Sequence, residues 1–126
     1  MAALVDTSIL IDHLRGHDDA RALLAMELAR GEPLYASVLT KVEILAGMRR
    51  AEAEATRSLL DVLIWVEVSD DIAEKAGRLA ARFRRSHGGV DVVDYVVAAT
   101  QQDLGVSLWT RNVRHFPMLP RLRPPY

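Results

Sequence analysis

Four short apolar runs alternate along this chain with longer stretches of helix-forming residues, and that alternation constrains the fold more than any other feature. Residues 2–5, 34–36, 64–68 and 106–109 read as strands. Helices are expected at 9–15, at about 18–30, from a Ser37 cap to about residue 50, and at 51–63, 70–85 and 91–104. Gly16, Gly31, the pair Gly88-Gly89 and Gly105 supply stops. Strands separated by helices predict an α/β sandwich around a mostly parallel sheet. From Pro117 onward an extended tail with at most one short edge strand is expected. With 126 residues and no repeat or linker, the expectation is a single domain over 1–126.

Composition removes several chemistries. Cysteine is absent, so thiol catalysis, disulfides and cysteine-based metal sites are excluded. No run is long and apolar enough for a membrane span, and Asp6 interrupts the only apolar stretch near the start, so no signal peptide or membrane role is read and a cytoplasmic location is expected. There is no GxGxxG, no Walker A loop, no GxSxG elbow and no HExxH. The four histidines lack metal-ligand spacing and read as surface or capping residues. Charge is uneven: residues 1–74 carry fourteen acids and seven bases, residues 75–126 three acids and nine bases. That asymmetry fits nucleic-acid contact, although on charge alone a solvated arginine-rich surface is the simpler explanation.

In an open parallel sheet, ligands gather beyond the carboxyl ends of the strands, so polar groups there deserve first consideration. Asp6 follows the first strand; read alone, it is more simply an N-cap than a catalyst. Glu43 falls at the border of an apolar stripe formed by Val38, Leu39, Val42, Leu45 and Ala46, about 40° from Leu39 on a helical wheel. Gly47, one turn on, is expected within the helix, where it would leave room for a close approach. Asp91 and Asp94, at i and i+3, share one helical face. Two acids in a first turn also suit the helix dipole, which accounts for Asp91 better than for Asp94. Thr110 and Asn112 follow the last strand, at the same sheet edge as Asp6.

Together these segments resemble the PIN domain, and within it the VapC toxins of bacterial toxin–antitoxin pairs. The resemblance rests on Leu4-Val5-Asp6-Thr7-Ser8-Ile9-Leu10, Val42-Glu43-Ile44-Leu45-Ala46-Gly47, Asp94-Tyr95-Val96-Val97-Ala98-Ala99-Thr100 and Thr110-Arg111-Asn112-Val113-Arg114-His115-Phe116. It implies a PIN-like three-layer sandwich and an endoribonuclease dependent on Mg²⁺, with Mn²⁺ as substitute. Metal-activated water would hydrolyse RNA, leaving a 5′-phosphate and a 3′-hydroxyl. A cognate VapB-type antitoxin and a homodimer are the implied partners.

The family's metal-site acids map onto Asp6, Glu43 and Asp94, with Asp91 a further candidate because the fourth position, often an acid, is Asn112 here. Thr7, Thr110 and Asn112 are expected to position substrate or water. Arg82, Arg85, Arg111 and Arg114 are expected along the RNA backbone, within a basic stretch that also holds Arg78 and Arg84. Two alternatives stay open at this point: a catalytically silent PIN-like module that binds RNA or protein, and a structure-specific nuclease using the same acids.

Overall fold

The computed structural model describes residues 1–126. Four strands, β1 (Ala3–Val5), β2 (Leu34–Ser37), β3 (Ile64–Val66) and β4 (Ser107–Trp109), form one sheet in the order β3-β2-β1-β4, and every pairing is parallel. Six helices connect them: α1 (Thr7–Leu14), α2 (Asp18–Ala29), α3 (Val38–Ala46), α4 (Ala53–Val62), α5 (Asp70–Phe83) and α6 (Val92–Leu104). The expected α/β sandwich is what the chain forms.

The layers follow from the two-residue period of a strand. Ala3 and Val5 turn to one face of the sheet, where they pack with Ile9, Leu10, Leu24, Ile44, Leu59 and Leu60 from the first four helices. Leu4, between them, turns to the other face and joins Ile72 and Ala76 of α5, Val96, Val97 and Ala99 of α6, and Phe116. All three β1 residues are buried, which explains why the strand is apolar throughout rather than alternating.

The strand order fixes where a ligand can go. Strands β1 to β3 step outward in one direction, and the chain then returns to place β4 on the opposite side of β1. The direction reverses between β1 and β4, and a crevice opens at such a switch point beyond the carboxyl ends of the strands. Asp6 and Thr110 are the residues that immediately follow those two strands.

Three local expectations need correction. Helix α3 ends at Ala46, with Gly47 as its C-cap, so it falls short of residue 50 and Gly47 is not mid-helix. A Cβ at Gly47 would meet only the Glu43 carbonyl, at 3.6 Å, so no other part of this chain approaches closely there. The apolar stripe on α3 faces this chain's core only in part: Leu39 packs against it, but Thr40 and Ile44 are the buried positions, while Val42 is 62% exposed. Ser37 does cap the helix, accepting from the Leu39 N–H at 3.2 Å. The tail beyond Pro117 forms turns and no strand.

Candidate active site

Asp6 occupies the N-cap position of α1 without acting as a cap, because its side chain takes no hydrogen bond from the helix backbone. Its Oδ2 instead accepts from Thr110 Oγ1 at 2.7 Å and from Ser8 Oγ at 3.1 Å. The Asp6 N–H donates to the Trp109 carbonyl at 2.9 Å, continuing the β1–β4 ladder. The side chain is therefore fixed across the switch point by a residue 104 positions away. The residue is 5% exposed, yet no cationic side chain lies within 4 Å of it. Buried carboxylates are ordinarily paired with a cation or coordinate one.

Glu43 is held from the other side. Thr7 Oγ1, in the first turn of α1, donates to Glu43 Oε1 at 2.6 Å and so ties α3 to the end of β1. The hydroxyl of Thr7, expected to position substrate or water, is engaged with an acid. Thr110 likewise acts through Asp6, and it also accepts the Asn112 N–H at 3.0 Å.

Asp94 sits in the first turn of α6. Burial pushes its carboxyl up to about 6, helped by the negative charges of Asp91 and Asp6 and opposed by the Asp91 N–H and by His115. His115 Nδ1 lies 3.3 Å from Asp94 Oδ2. Asp91 is the N-cap of the helix: its Oδ1 accepts from the Asp94 N–H at 3.1 Å, and Asp94 Oδ2 accepts in return from the Asp91 N–H at 3.3 Å. This reciprocal box accounts for the i, i+3 spacing structurally, while still placing a second charge beside Asp94.

A pattern unites the three acids. Asp6, Glu43 and Asp94 each commit one oxygen to groups of this chain, whereas Asp6 Oδ1, Glu43 Oε2 and Asp94 Oδ1 accept no hydrogen bond. The arrangement is an all-oxygen donor set, short of positive charge, beyond the ends of parallel strands. Hard divalent cations such as Mg²⁺ and Mn²⁺ take such ligands. The acids are nevertheless not drawn into a tight knot. The one group of acids whose ligand oxygens all lie within 4.8 Å of each other is elsewhere, at Asp70, Asp71 and Glu74, all exposed in the first turns of α5.

Of the basic residues expected to follow RNA, Arg111 and Arg114 line a cavity with His87 and His115, whereas Arg82 and Arg85 are exposed and do not line it. Arg111 is fastened twice: its N–H donates to Ser8 Oγ at 3.1 Å, and its guanidinium meets Asp12 at 3.1 Å and lies 5.3 Å from the Tyr126 ring centre. The sequence reading missed Ser8 and His115. Ser8 joins Asp6, Thr110 and Arg111 through contacts more than 100 residues apart in all but one case, and no local pattern announces them.

Residues 3–120 match the family model described as PIN domain. The chain is 49% identical over 123 residues to Ribonuclease VapC19 of Mycobacterium tuberculosis, covering 98% of both proteins. It is 41% identical to Ribonuclease VapC10 of the same organism, over 98% of this chain and 92% of that one. Among solved structures, a toxin–antitoxin complex from Klebsiella pneumoniae contains a chain that superposes with a TM-score of 0.79 at 29% identity, with 98% of each chain covered.

Proposed function

Because the chain belongs to the PIN-domain family, we propose that it is a metal-dependent endoribonuclease and the toxin of a VapBC-type toxin–antitoxin pair. The observation that carries the reading is the shared state of the three acids: each is anchored through one oxygen and free at the other, in a crevice where Asp6 is buried without a cation. A catalytically silent descendant has no need to hold three such side chains in register.

The residues that would hold Mg²⁺ or Mn²⁺ are Asp6, Glu43 and Asp94, with Asp91 adding charge. A bound ion of this kind lowers the pKa of its water and neutralises charge developing on a scissile phosphate. The chain's own contribution is preorganisation. Thr110 and Ser8 keep Asp6 from rotating, Thr7 fixes Glu43 against α1, and the capping box sets the direction of Asp94. Water activated by such an ion would be the nucleophile, displacing the 3′ oxygen so that the products are a 5′-phosphate and a 3′-hydroxyl. Asn112, which is exposed at the crevice rim, has an amide to orient that water or a phosphate oxygen.

The partner is a VapB-type antitoxin. Ile11 on α1 and Val42, Leu45 and Met48 on or after α3 are exposed large apolar side chains flanking Glu43, and they form the surface on which it is proposed to pack. The enzyme acts as a homodimer.

The test is cleavage of RNA by purified protein in Mn²⁺ or Mg²⁺. Cleavage is expected to stop in EDTA and to be suppressed by the antitoxin. Undiminished cleavage in EDTA overturns the metal mechanism.

A further inference from the structure

Beside Asp94 lies a cavity of about 370 Å³ whose chemistry is opposite to that of the acids. His87, Arg111, Asn112, Arg114 and His115 line it together with Gly89, Val90 and Val113, and no carboxylate is among them. Two different segments build it. The turn after α5 brings His87 and Gly89, and the loop after β4 brings residues 111–115. One wall touches the candidate metal site directly, since His115 Nδ1 is 3.3 Å from Asp94 Oδ2. Another wall is attached to Asp6 through Ser8 Oγ, which takes the Arg111 N–H at 3.1 Å and donates to Asp6 at 3.1 Å.

The basic side chains are not equivalent. Arg111 is committed to Asp12, and His115 to Asp94. Arg114 is exposed and has no acidic group within 4 Å, and the His87 ring meets only Ser86 Oγ, at 2.8 Å, and the tilted ring of Phe83. An arginine with five donors and no acceptor, in a concave site without a competing carboxylate, is matched to a phosphate group. Resting on the ribonuclease reading above, we propose that this cavity is the subsite for a phosphate of the RNA strand adjacent to the bond being cut, with Arg114 as its principal contact and His87 closing the far wall. The strand then runs from the carboxylates, across His115, into the cavity. Repulsion from the acids and attraction by Arg114 set its path, so the subsite fixes the register of the scissile bond. A single strand fits this role, because one backbone can leave the crevice and enter the cavity without a paired partner.

The experiment measures binding of a short single-stranded RNA in Mn²⁺-free buffer, using Glu43→Gln as the uncleaving parent. Adding Arg114→Glu should raise Kd at least about tenfold. Adding Arg114→Ala should lower the slope of log affinity against log salt by about 0.7, the signature of one lost phosphate contact on a single strand. His87→Ala should give a smaller loss. Thermal melts and Mn²⁺ titration should stay at parent values. If wild type cuts RNA but Arg114→Glu binds it with the parent's Kd and salt slope, the subsite is refuted while the ribonuclease reading stands. If the wild type neither binds nor cuts RNA, both fall. A variant that loses antitoxin affinity but keeps RNA affinity assigns the cavity to the protein partner and also overturns the proposal.

Discussion

Two groups of acids in this molecule invite comparison: Asp70, Asp71 and Glu74 on α5, and Asp6, Glu43 and Asp94 around the crevice. The first is the tighter, with ligand oxygens all within 4.8 Å, and it is made by one helix turn. Its members are exposed, Ser69 already caps the helix by accepting the Ile72 N–H at 3.1 Å, and acids at this end are what the dipole favours. The second is assembled from three elements, with Glu43 and Asp6 held by hydroxyls contributed across 36 and 104 residues of sequence and Asp94 by its capping box and His115. Proximity in the first group follows from local geometry alone. In the second it requires the whole fold, along with burial and dedicated donors. Closeness of carboxylates is therefore a poor guide to a metal site, whereas long-range immobilisation is a better one.

The largest expected effect separates the two groups by activity. Asp6→Asn, Glu43→Gln and Asp94→Asn should each lower RNA cleavage by at least about 10²-fold, the scale for losing one preorganised electrostatic group. Asp70→Asn, Asp71→Asn and Glu74→Gln should leave cleavage unchanged and alter stability by no more than about 1 kcal/mol, the dipole contribution. Cleavage rates and melts of the six variants test both halves. Loss of activity in the α5 set with retention in the crevice set would reverse the assignment.

A second, smaller effect concerns pH. Asp94 has its carboxyl at about 6 in the folded protein, against 3.8 for an unperturbed one, so the folded state holds the proton more tightly than the unfolded state. Its contribution to stability is then complete below about 3.8 and is lost progressively as pH rises through about 6. The Asp94→Asn protein lacks this loss. Without metal, its melting temperature should exceed the wild type's by a few degrees at pH 7, and the gap should close toward pH 4. Mn²⁺ should narrow the gap at pH 7, because binding stabilises the wild type by mass action. A gap independent of pH would show that the crevice does not strain Asp94.

The contrast between local and assembled structure also explains what the sequence discloses. The strands, the helices and their order were readable because each depends on a period within a dozen residues. Asp6, Glu43 and Asp94 were reachable through motifs, yet nothing local distinguishes Asp6 as a cap from Asp6 as a ligand. That distinction lies in Thr110. The α3 stripe misled for a related reason: an apolar face says that something covers it, not that this chain does, and Val42 and Leu45 are left exposed. In sequence His115 reads as a surface or capping residue, because its contact with Asp94 spans 21 residues and two loops.

The smallest effect, and the finest test of the comparison, is at Asp91, which belongs to both categories. Like the α5 acids it sits at a helix start and serves the backbone, accepting the Asp94 N–H at 3.1 Å. Like the crevice acids it acts on the site, because its charge helps to raise Asp94. Replacement by two residues separates these roles. Asn at an N-cap is as good as Asp, so Asp91→Asn keeps the cap and removes the charge, whereas Asp91→Ala removes both. If Asp91 is a cap that acts electrostatically, only the Ala variant loses stability, by about 1 kcal/mol. Both variants then lose Mn²⁺ affinity by roughly fivefold, the equivalent of about 1 kcal/mol for one unit charge about 8 Å from a divalent ion in a water-like setting. We expect that pattern, because the residue is exposed and one of its oxygens is already engaged. Calorimetric Mn²⁺ titrations beside thermal melts read the two quantities independently. A 10- to 100-fold loss of affinity in both variants would instead make Asp91 part of the metal's immediate surroundings. Unchanged affinity in both would reduce it to a cap and place it with the acids of α5.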